Sequence, residues 1–357
     1  MRHFLAVLTG LFWAAFASAS FAQQSASRPT FEADGTVNVP AFKLPPSPLS
    51  SKEARAAQAM RSRMQGGSAQ VMDPDHLKAR AGLERMMAPA VAAILAAYPV
   101  DIEDTRIAGV EVKIFTPKGK PYDRRRVLIN VHGGAFQTCW PACAFLESAP
   151  IAALGGYKVV SVNYRMAPEA KHPAGVQDAA AVYRELLKRY RARSTGIYGC
   201  SAGGSLTAQL AAWLPANGLP QAAAVGIFGA GAVRMMAGDS AHVAAWIDGS
   251  FPAPVSGAPM DLTRGYFDGA SMDDPIISPT LHPDVIGKFP PTLLITGTRA
   301  MDMSPAIVTN SALLKARVPS TLIVGEGMGH CYIYNAGLPE ARDAHQATVD
   351  FFRANLK

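Results

Sequence analysis

The sequence of 357 residues is short of long apolar runs, of cysteine and of charge, and each shortage excludes a class of protein. After the N-terminus no apolar stretch reaches the about 18–20 residues of a membrane-spanning helix, so an integral membrane protein is not expected. Four cysteines are too few for a disulfide scaffold in a chain of this length. With 49% hydrophobic and only 17% charged residues, the chain is not of the disordered type. A globular protein with a sizeable core remains.

The common signatures of cofactor and nucleic-acid binding are also missing. There is no H-E-x-x-H motif, no closely spaced Cys/His ligand set and no G-x-G-x-x-G opening a crossover helix, so we expect no metal and no other cofactor. The net charge is +7, but the dense basic runs at 124–126 and 188–193 have the pattern of solvated ends of secondary elements. They do not form one face with interleaved aromatic residues, so nucleic acid is not an expected partner.

The first 22 residues have the pattern of a secretory signal peptide. Arg2 and His3 precede an apolar run at 4–17, and small residues lead to a cleavage site after Ala22, or alternatively after Ala19. A buried N-terminal helix is the other interpretation. The pattern predicts export to the periplasm or the extracellular space, with no integral membrane segment once the signal is removed.

The rest of the chain divides into two regions. Residues 23–105 contain a Pro- and Ser-rich linker and two helical patterns, at 50–65 and 73–98, whose apolar stripe suits either core or the inner face of a lid. From about residue 106 to 357, short apolar strands alternate with helices, which predicts an α/β domain with a largely parallel sheet. The predicted strands are 110–116, 127–131, 159–162, 196–198, 225–228, 293–296 and 321–324, and the helices are 176–191, 205–214, 306–316 and 339–355. Residues 230–288 break this rhythm and are interpreted as a lid insertion at the carboxyl edge of the sheet.

A candidate nucleophile lies between a strand and a helix, in the segment G-C-S-A-G-G at 199–204. A G-x-S-x-G pattern is weak alone, but its strand–turn–helix context is that of a nucleophile elbow, where small neighbours let strand and helix approach. A glycine-rich turn whose serine merely caps the helix is the alternative. We expect Ser201 to be the nucleophile.

A second glycine-rich segment, H-G-G-A-F at 132–136, directly follows the strand 127–131. Small residues at the end of a strand leave backbone N–H groups pointing into open space, as an oxyanion hole requires. The predicted donors are the N–H groups of Gly134, Ala135 and Ala202, with Gly133 as a further candidate.

One of the eight histidines suits the role of general base. His330 ends a glycine-rich loop, G-E-G-M-G-H at 325–330, directly after an apolar strand and late in the chain, where this order of catalytic residues places the base. His132 belongs to the oxyanion segment, and His345 lies on a helical pattern that we expect to be an exposed face. Cys200 and Cys331 flank the two candidates, and we expect them to be small apolar side chains that line a pocket, not a pair. Cys139 and Cys143 are close enough in sequence to pair.

From about residue 106 onward the chain resembles the hormone-sensitive-lipase-like family of α/β-hydrolase fold serine esterases, which carry H-G-G-G upstream of G-D-S-A-G-G. N-Y-R-M-A-P-E at 163–169, followed by His172-Pro173, and G-M-G-H at 327–330 are similar to two further family segments. The resemblance implies an α/β-hydrolase fold with helices on both faces of the sheet and a helical lid. It also implies a Ser–His–Asp triad and the hydrolysis of small, short-chain carboxylic esters through an acyl-enzyme.

The chain departs from the family pattern at three positions. Cys200 replaces an aspartate beside the nucleophile, and Ala135 replaces the third glycine of the oxyanion segment, which is harmless unless that position needs a positive φ. The family's G-x-x-D acid would fall on Ala300; the nearest carboxylate is Asp302, which we expect to orient His330, with Glu326 as the alternative. If neither serves, a ligand-binding protein on a hydrolase fold becomes the competing hypothesis, and lactone or amide hydrolysis would use the same residues.

Overall fold

The computed structural model describes residues 28–64, 73–247 and 263–357. The predicted signal peptide and the middle of the predicted insertion, residues 248–262, lie outside the described residues. The chain divides into two compact units, Met1–Pro45 and Pro46–Lys357. In the first unit, strands β1 (Thr30–Phe31) and β2 (Val37–Asn38) form a short antiparallel pair.

The second unit is built on an eight-stranded sheet. Its strands are β3 (Val100–Ile107), β4 (Val110–Pro117), β5 (Val127–Val131), β6 (Lys158–Val162), β7 (Thr195–Cys200), β8 (Ala224–Phe228), β9 (Thr292–Gly297) and β10 (Ser320–Gly325). Their order across the sheet is β10-β9-β8-β7-β5-β6-β4-β3. Strands β5 to β10 are parallel to one another. The antiparallel pairs of this sheet are β3 with β4 and β4 with β6. The predicted, mostly parallel α/β architecture is confirmed.

Helices cover both faces of this sheet. They are α1 (Lys52–Met64), α2 (His76–Ala97), α3 (Ala142–Gly155), α4 (Ala174–Leu186), α5 (Ala202–Ala216), α6 (Asp239–His242), α7 (Ala244–Ile247), α8 (Pro283–Ile286), α9 (Met303–Lys315) and α10 (Pro339–Asn355). Along β5, Ile129 joins a core cluster with α4 and α5, whereas its neighbour Leu128 joins a cluster with α3 and α10. Successive side chains therefore enter opposite cores, as a strand buried on both faces requires. None of the helices in the described ranges is long and apolar enough to cross a membrane.

Strand β3 and helix α3 are the two longer elements of the sheet unit that were not predicted from the sequence, and the short helices α6, α7 and α8 were not predicted either. Strand β3 lies across the predicted boundary at residue 106. Because it is an edge strand, most of its side chains are in solvent, and its charged sequence VDIEDTRI does not show the alternation of apolar and polar residues that predicts a strand. Helix α3 is apolar on nearly all sides, since it is buried between the sheet and its neighbours, and such a run has no helical period to detect.

Helix α2 is held to the rest of the second unit through Arg80. The guanidinium forms a two-pronged ion pair with Glu169, at 2.6 and 2.8 Å, and also donates to the carbonyl oxygens of Gln137 and Ala167. This ion pair lowers the pKa of Glu169 below its usual range. The N-terminal half of α2 is therefore fixed to the segment that follows the oxyanion loop and to the A-P-E turn.

Candidate active site

The carboxyl ends of the parallel strands bring three predicted residues together. His330 Nε2 lies 2.9 Å from Ser201 Oγ, and His330 Nδ1 lies 2.6 Å from Asp302 Oδ1. Asp302 is fully buried, and its second oxygen accepts a 2.6 Å hydrogen bond from the Thr296 hydroxyl. Glu326 is exposed. Of the two carboxylates weighed from the sequence, Asp302 is the one at the imidazole.

In the family pattern the acid would fall on Ala300. The turn after β9 explains how Asp302, two residues later, reaches the imidazole instead. Ala300 N donates to Gly297 O and Met303 N donates to Ala300 O, both at 3.1 Å, so the chain makes two successive tight turns. Ala300 is buried within them, at 1% exposure. Asp302 then lies at the start of α9, beside the glycine-rich loop at 325–330 that carries His330, here called the base loop.

Ser201 occupies the strained turn between β7 and α5. Its φ of 61° and ψ of −125° lie in a region that non-glycine residues rarely adopt, and its N–H donates to Phe228 O at 2.9 Å. Strand β5 and helix α5 approach so closely that a Cβ on Gly203 would lie 1.8 Å from Val131 O. This backbone lifts the serine hydroxyl out of the helix toward the imidazole, as a nucleophile elbow does.

The oxyanion segment differs from the prediction at Gly133. Its N–H donates to the buried carboxylate of Glu147 at 2.9 Å, so it is already bonded and is not free to bind an oxyanion. Including Gly133 among the oxyanion donors was therefore wrong. No acceptor within the described ranges bonds the N–H groups of Gly134, Ala135 and Ala202. Gly134 and Ala135 follow the carboxyl end of β5, and Ala202 directly follows Ser201 and opens α5, where helical N–H groups have no internal partner.

Ala135, which replaces the third glycine of the family pattern, adopts a positive φ, a conformation that is unfavourable for alanine. Its φ is 54°, and that of Phe136 is 60°. A left-handed alanine costs about 1–2 kcal/mol relative to the ordinary conformation. The turn persists because the N–H groups of Gln137 and Thr138 both bond the carbonyl of Gly134, at 3.0 and 2.9 Å.

Two other histidines are buried. Burial lowers the pKa of His132 to about 4, and its ring stacks on Tyr164 with centroids 4.5 Å apart. His345 was expected on an exposed face, which is wrong: it is 3% exposed and packs edge-on against Tyr98. Burial lowers its pKa also to about 4. The face of α10 that carries His345 turns toward the core, so this histidine is a packing residue.

All four cysteines are paired in two disulfides, Cys139–Cys143 and Cys200–Cys331. The expectation that Cys200 and Cys331 are unpaired pocket residues is wrong. Cys200 precedes Ser201 and Cys331 follows His330, so the contact between serine and histidine draws their neighbours to a Cα separation of 6.4 Å, within disulfide range. The second disulfide thus joins the nucleophile turn to the base loop.

Removing the Cys200–Cys331 disulfide should destabilise the protein more than removing the other one. The two bridges close segments of 131 and 4 residues, and loop-closure entropy then predicts losses of about 5 and about 2 kcal/mol in the free energy of unfolding. Urea unfolding of Cys200→Ala/Cys331→Ala and of Cys139→Ala/Cys143→Ala measures both. Equal losses would contradict this explanation.

Several supporting residues were missed by the sequence reasoning. Thr296 and Tyr334 carry no motif, but Glu147 left a signal: it is the single charged residue in the apolar helix α3. A buried charge in such a run requires polar partners, and this one lies beneath the site.

Two cavities adjoin the site, each of about 590 Å³. The first starts at Ala135 and continues between α5 and described parts of the predicted insertion. Its polar lining residues are Ser205, Gln209, Arg234, His242, Thr263 and Asp268. Its apolar residues include Val233, Met235, Met236, Phe267, Met272 and Ile277. The second is lined by His330 and its loop on one side and by α1 and α2 on the other. Both volumes are in the range of small-molecule sites.

Comparison with known proteins identifies the fold family of the chain. Residues 128–334, more than half of the chain, match the family described as alpha/beta hydrolase fold. The chain is 30% identical to an acetyl-hydrolase of Streptomyces hygroscopicus over 241 residues, which are 64% of this chain and 75% of that protein. It is 26% identical to the versiconal hemiacetal acetate esterase stcI of Emericella nidulans over 227 residues, 62% of this chain and 78% of the relative.

Solved structures give the same result for the fold. The crystal structure of esterase E25 superposes with a TM-score of 0.77 at 25% identity, over 90% of this chain and 99% of that one. An esterase from the bacterial hormone-sensitive lipase family superposes with a TM-score of 0.72 at 24% identity, over 86% of this chain and 99% of the other.

Proposed function

The chain belongs to the alpha/beta hydrolase fold family, and from this premise we propose that it is a serine carboxylesterase that hydrolyses small, short-chain esters. The observation that carries the proposal is the continuous hydrogen-bond chain from Ser201 through His330 to Asp302, at 2.9 and 2.6 Å. A nucleophile, its base and an orienting acid in this order are the parts that acyl transfer needs.

In the proposed reaction Ser201 Oγ attacks the ester carbonyl carbon while His330 Nε2 takes the hydroxyl proton. The carbonyl oxygen becomes an oxyanion, which the N–H groups of Gly134, Ala135 and Ala202 stabilise. His330 returns the proton to the leaving alkoxide as the carbon–oxygen bond breaks, leaving an acyl group on Ser201. Water then attacks the acyl-enzyme, His330 takes its proton and returns it to Ser201, and the acid leaves.

Asp302 acts through His330 in this proposal. Its Oδ1 accepts a hydrogen bond from the Nδ1–H group of His330, so that Nε2 is unprotonated and faces the serine. The negative charge of Asp302 stabilises the imidazolium that forms during the reaction. The hydrogen bond from Thr296 to the other oxygen fixes the carboxylate orientation. The intact arrangement favours an enzyme over the ligand-binding alternative.

The substrate range is proposed from the segments around the site. We assign a lid role to α1 and α2 and to the predicted insertion at 230–288. In support of this, Gln58 of α1 donates to Gly327 O in the base loop at 2.5 Å. The first cavity, bounded by Met235, Met236 and Phe267, accommodates a short acyl or alcohol group beside Ala135.

A series of p-nitrophenyl esters tests the proposed function. We expect kcat/KM to be highest for acetate to hexanoate and at least about tenfold lower for dodecanoate, because the described cavity beside Ala135 is bounded by Met235, Met236 and Phe267. The matched lactone and anilide of the best acid should react more slowly. If the purified protein binds the esters without turnover, the ligand-binding alternative replaces the esterase; if the lactone or the anilide is preferred, the substrate class changes.

Export is the proposed destination of the chain. The N-terminal pattern motivates it, and the pairing of all four cysteines in disulfides supports it, because disulfides persist in oxidising compartments. Mass spectrometry of the protein isolated outside the cytoplasm should find a mature N-terminus at Gln23, or alternatively at Ser20. Soluble cytoplasmic protein that retains Met1 and Arg2 would overturn the proposal.

A further inference from the structure

A buried carboxylate lies beneath the proposed catalytic residues and takes no part in the reaction described above. Glu147 of α3 is 3% exposed. Its Oε1 accepts hydrogen bonds from Gly133 N at 2.9 Å and Tyr334 Oη at 2.6 Å, and its Oε2 accepts from Asn130 Nδ2 at 2.7 Å and Cys200 N at 3.1 Å. All four partners donate, so the site is built for an acceptor on both oxygens.

The donors belong to different catalytic segments. Gly133 immediately precedes the proposed oxyanion donors Gly134 and Ala135. Cys200 immediately precedes Ser201, and Tyr334 lies in the turn Tyr332–Tyr334 that follows His330. One carboxylate therefore contacts the oxyanion segment, the nucleophile turn and the continuation of the base loop, which lie far apart in the sequence.

Within the described residues, no cationic side chain forms an ion pair with this carboxylate. The titratable groups around it are Tyr334, which donates to it, Tyr198, which donates to the backbone carbonyl of Glu147, and Tyr164, which stacks on His132. Burial raises the pKa of all three tyrosines, so they remain neutral, and burial keeps His132 neutral by lowering its pKa. Burial also raises the pKa of Glu147, to about 7, although the four hydrogen bonds oppose this rise.

Burying a charge at this position costs stability. The folded pKa of about 7 lies above the ordinary value of 4.5, so the folded state binds the proton more tightly than the unfolded state does. The free energy of unfolding therefore falls as pH rises between these two values. A well-packed apolar residue would avoid that cost, so packing alone does not explain a glutamate here.

We propose that Glu147, in its ionised form, is a positioning residue that holds the oxyanion segment in register with the nucleophile turn. It acts by accepting the N–H groups of Gly133 and Cys200 at the same time. This inference rests on the proposed esterase function, and it assigns the alignment of the site to a residue that does not touch the substrate.

Glu147→Gln is the sharpest test because it preserves the volume and removes one acceptor. If the new Nε2 takes the Oε2 position, it faces Cys200 N–H; if it takes the Oε1 position, it faces Gly133 N–H. Either orientation leaves one buried backbone N–H without an acceptor. The segment carrying that N–H is then free to shift relative to the other.

The experiment compares Glu147→Gln with wild type after active-site titration with a fluorophosphonate, so that only folded, reactive enzyme is counted. A shift of about 1 Å in catalytic geometry costs about 10²-fold, so we expect kcat to fall about 10²-fold with KM within about threefold. The Ki of a trifluoromethyl ketone, which forms a tetrahedral adduct, should rise by a similar factor. The matched control is Glu84→Gln, because Glu84, although only partly buried, is also a carboxylate that accepts a backbone N–H, that of Ala142. It should keep wild-type kcat and Ki.

The pH dependence separates positioning from simple structural support. In wild type, activity should require loss of the Glu147 proton as pH rises through about 7. Glu147→Gln lacks this proton, so the acid limb of log kcat/KM should be steeper in wild type than in the variant by one unit of slope. If the variant has a lower melting temperature but wild-type kcat, Ki and slope, Glu147 is only structural and the proposal is overturned. A wild-type protein without esterase activity would instead reject the proposed function, and the crystal structure of Glu147→Gln, with both segments unmoved, would then reject the positioning role as well.

Discussion

The Ser201→Ala variant is expected to lose at least about 10⁵-fold in kcat, because among the described residues Ser201 carries the only hydroxyl that bonds His330, and residual turnover comes only from the oxyanion donors. Alanine fits the turn, since the methyl group replaces a hydroxyl that bonds only the imidazole among described contacts. Circular dichroism and the melting temperature should remain close to those of wild type. A burst of p-nitrophenol, the sign of acyl-enzyme formation, should disappear.

Ser311→Ala is the matched control for this change. Ser311 is an exposed serine on α9 whose hydroxyl bonds a backbone carbonyl of its own helix, so its loss should leave kcat unchanged. Equal turnover in Ser201→Ala and wild type would remove Ser201 from the mechanism and with it the proposed reaction.

Asp302→Asn should lower kcat by about 10⁴-fold while the protein stays folded. The Thr296 hydroxyl can accept as well as donate, so the asparagine is held in either orientation. When its Nδ2 faces His330 Nδ1, the imidazole carries its proton on Nε2, which points at Ser201 and cannot take the serine proton. Steady-state kinetics with p-nitrophenyl butyrate measure the loss.

Glu326→Gln supplies the comparison, because Glu326 was the alternative acid from the sequence and is exposed in the structure. It should retain wild-type kcat. If the two variants were equally impaired, or if Glu326→Gln alone were inactive, the assignment of the acid would be wrong.

The positions of most strands along the chain, and the candidate serine and histidine, could be predicted from the sequence because their signals are local. Strand β7 and helix α5 were predicted to within a few residues, and the glycines around Ser201 reflect a backbone approach that a single segment specifies. The acid was harder to predict, because its position depends on the path of the turn between Gly297 and Asp302, which no periodicity encodes.

The contacts that join distant segments could not be predicted in the same way. Cys200 and Cys331 looked like isolated pocket residues, since their pairing follows only once the sheet has placed β7 and the base loop side by side. The bond between Gly133 and Glu147 has the same origin: the helix that carries the carboxylate has no period that shows which side faces the oxyanion segment. Edge strand β3 was missed for the opposite reason, because its solvent-exposed charges resemble a loop.

The disulfide between Cys200 and Cys331 changes the topology of the catalytic pair. Along the backbone, Ser201 and His330 are 129 positions apart, and the insertion and three strands lie between them. Through the sulfur atoms, the shortest covalent path between them passes only Cys200 and Cys331. In this respect Ser201 and His330 are linked like residues of one short disulfide-joined peptide. Fraying of any element in the intervening stretch leaves that tether unbroken, so the distance available to the two side chains is bounded by bond lengths even where packing is lost.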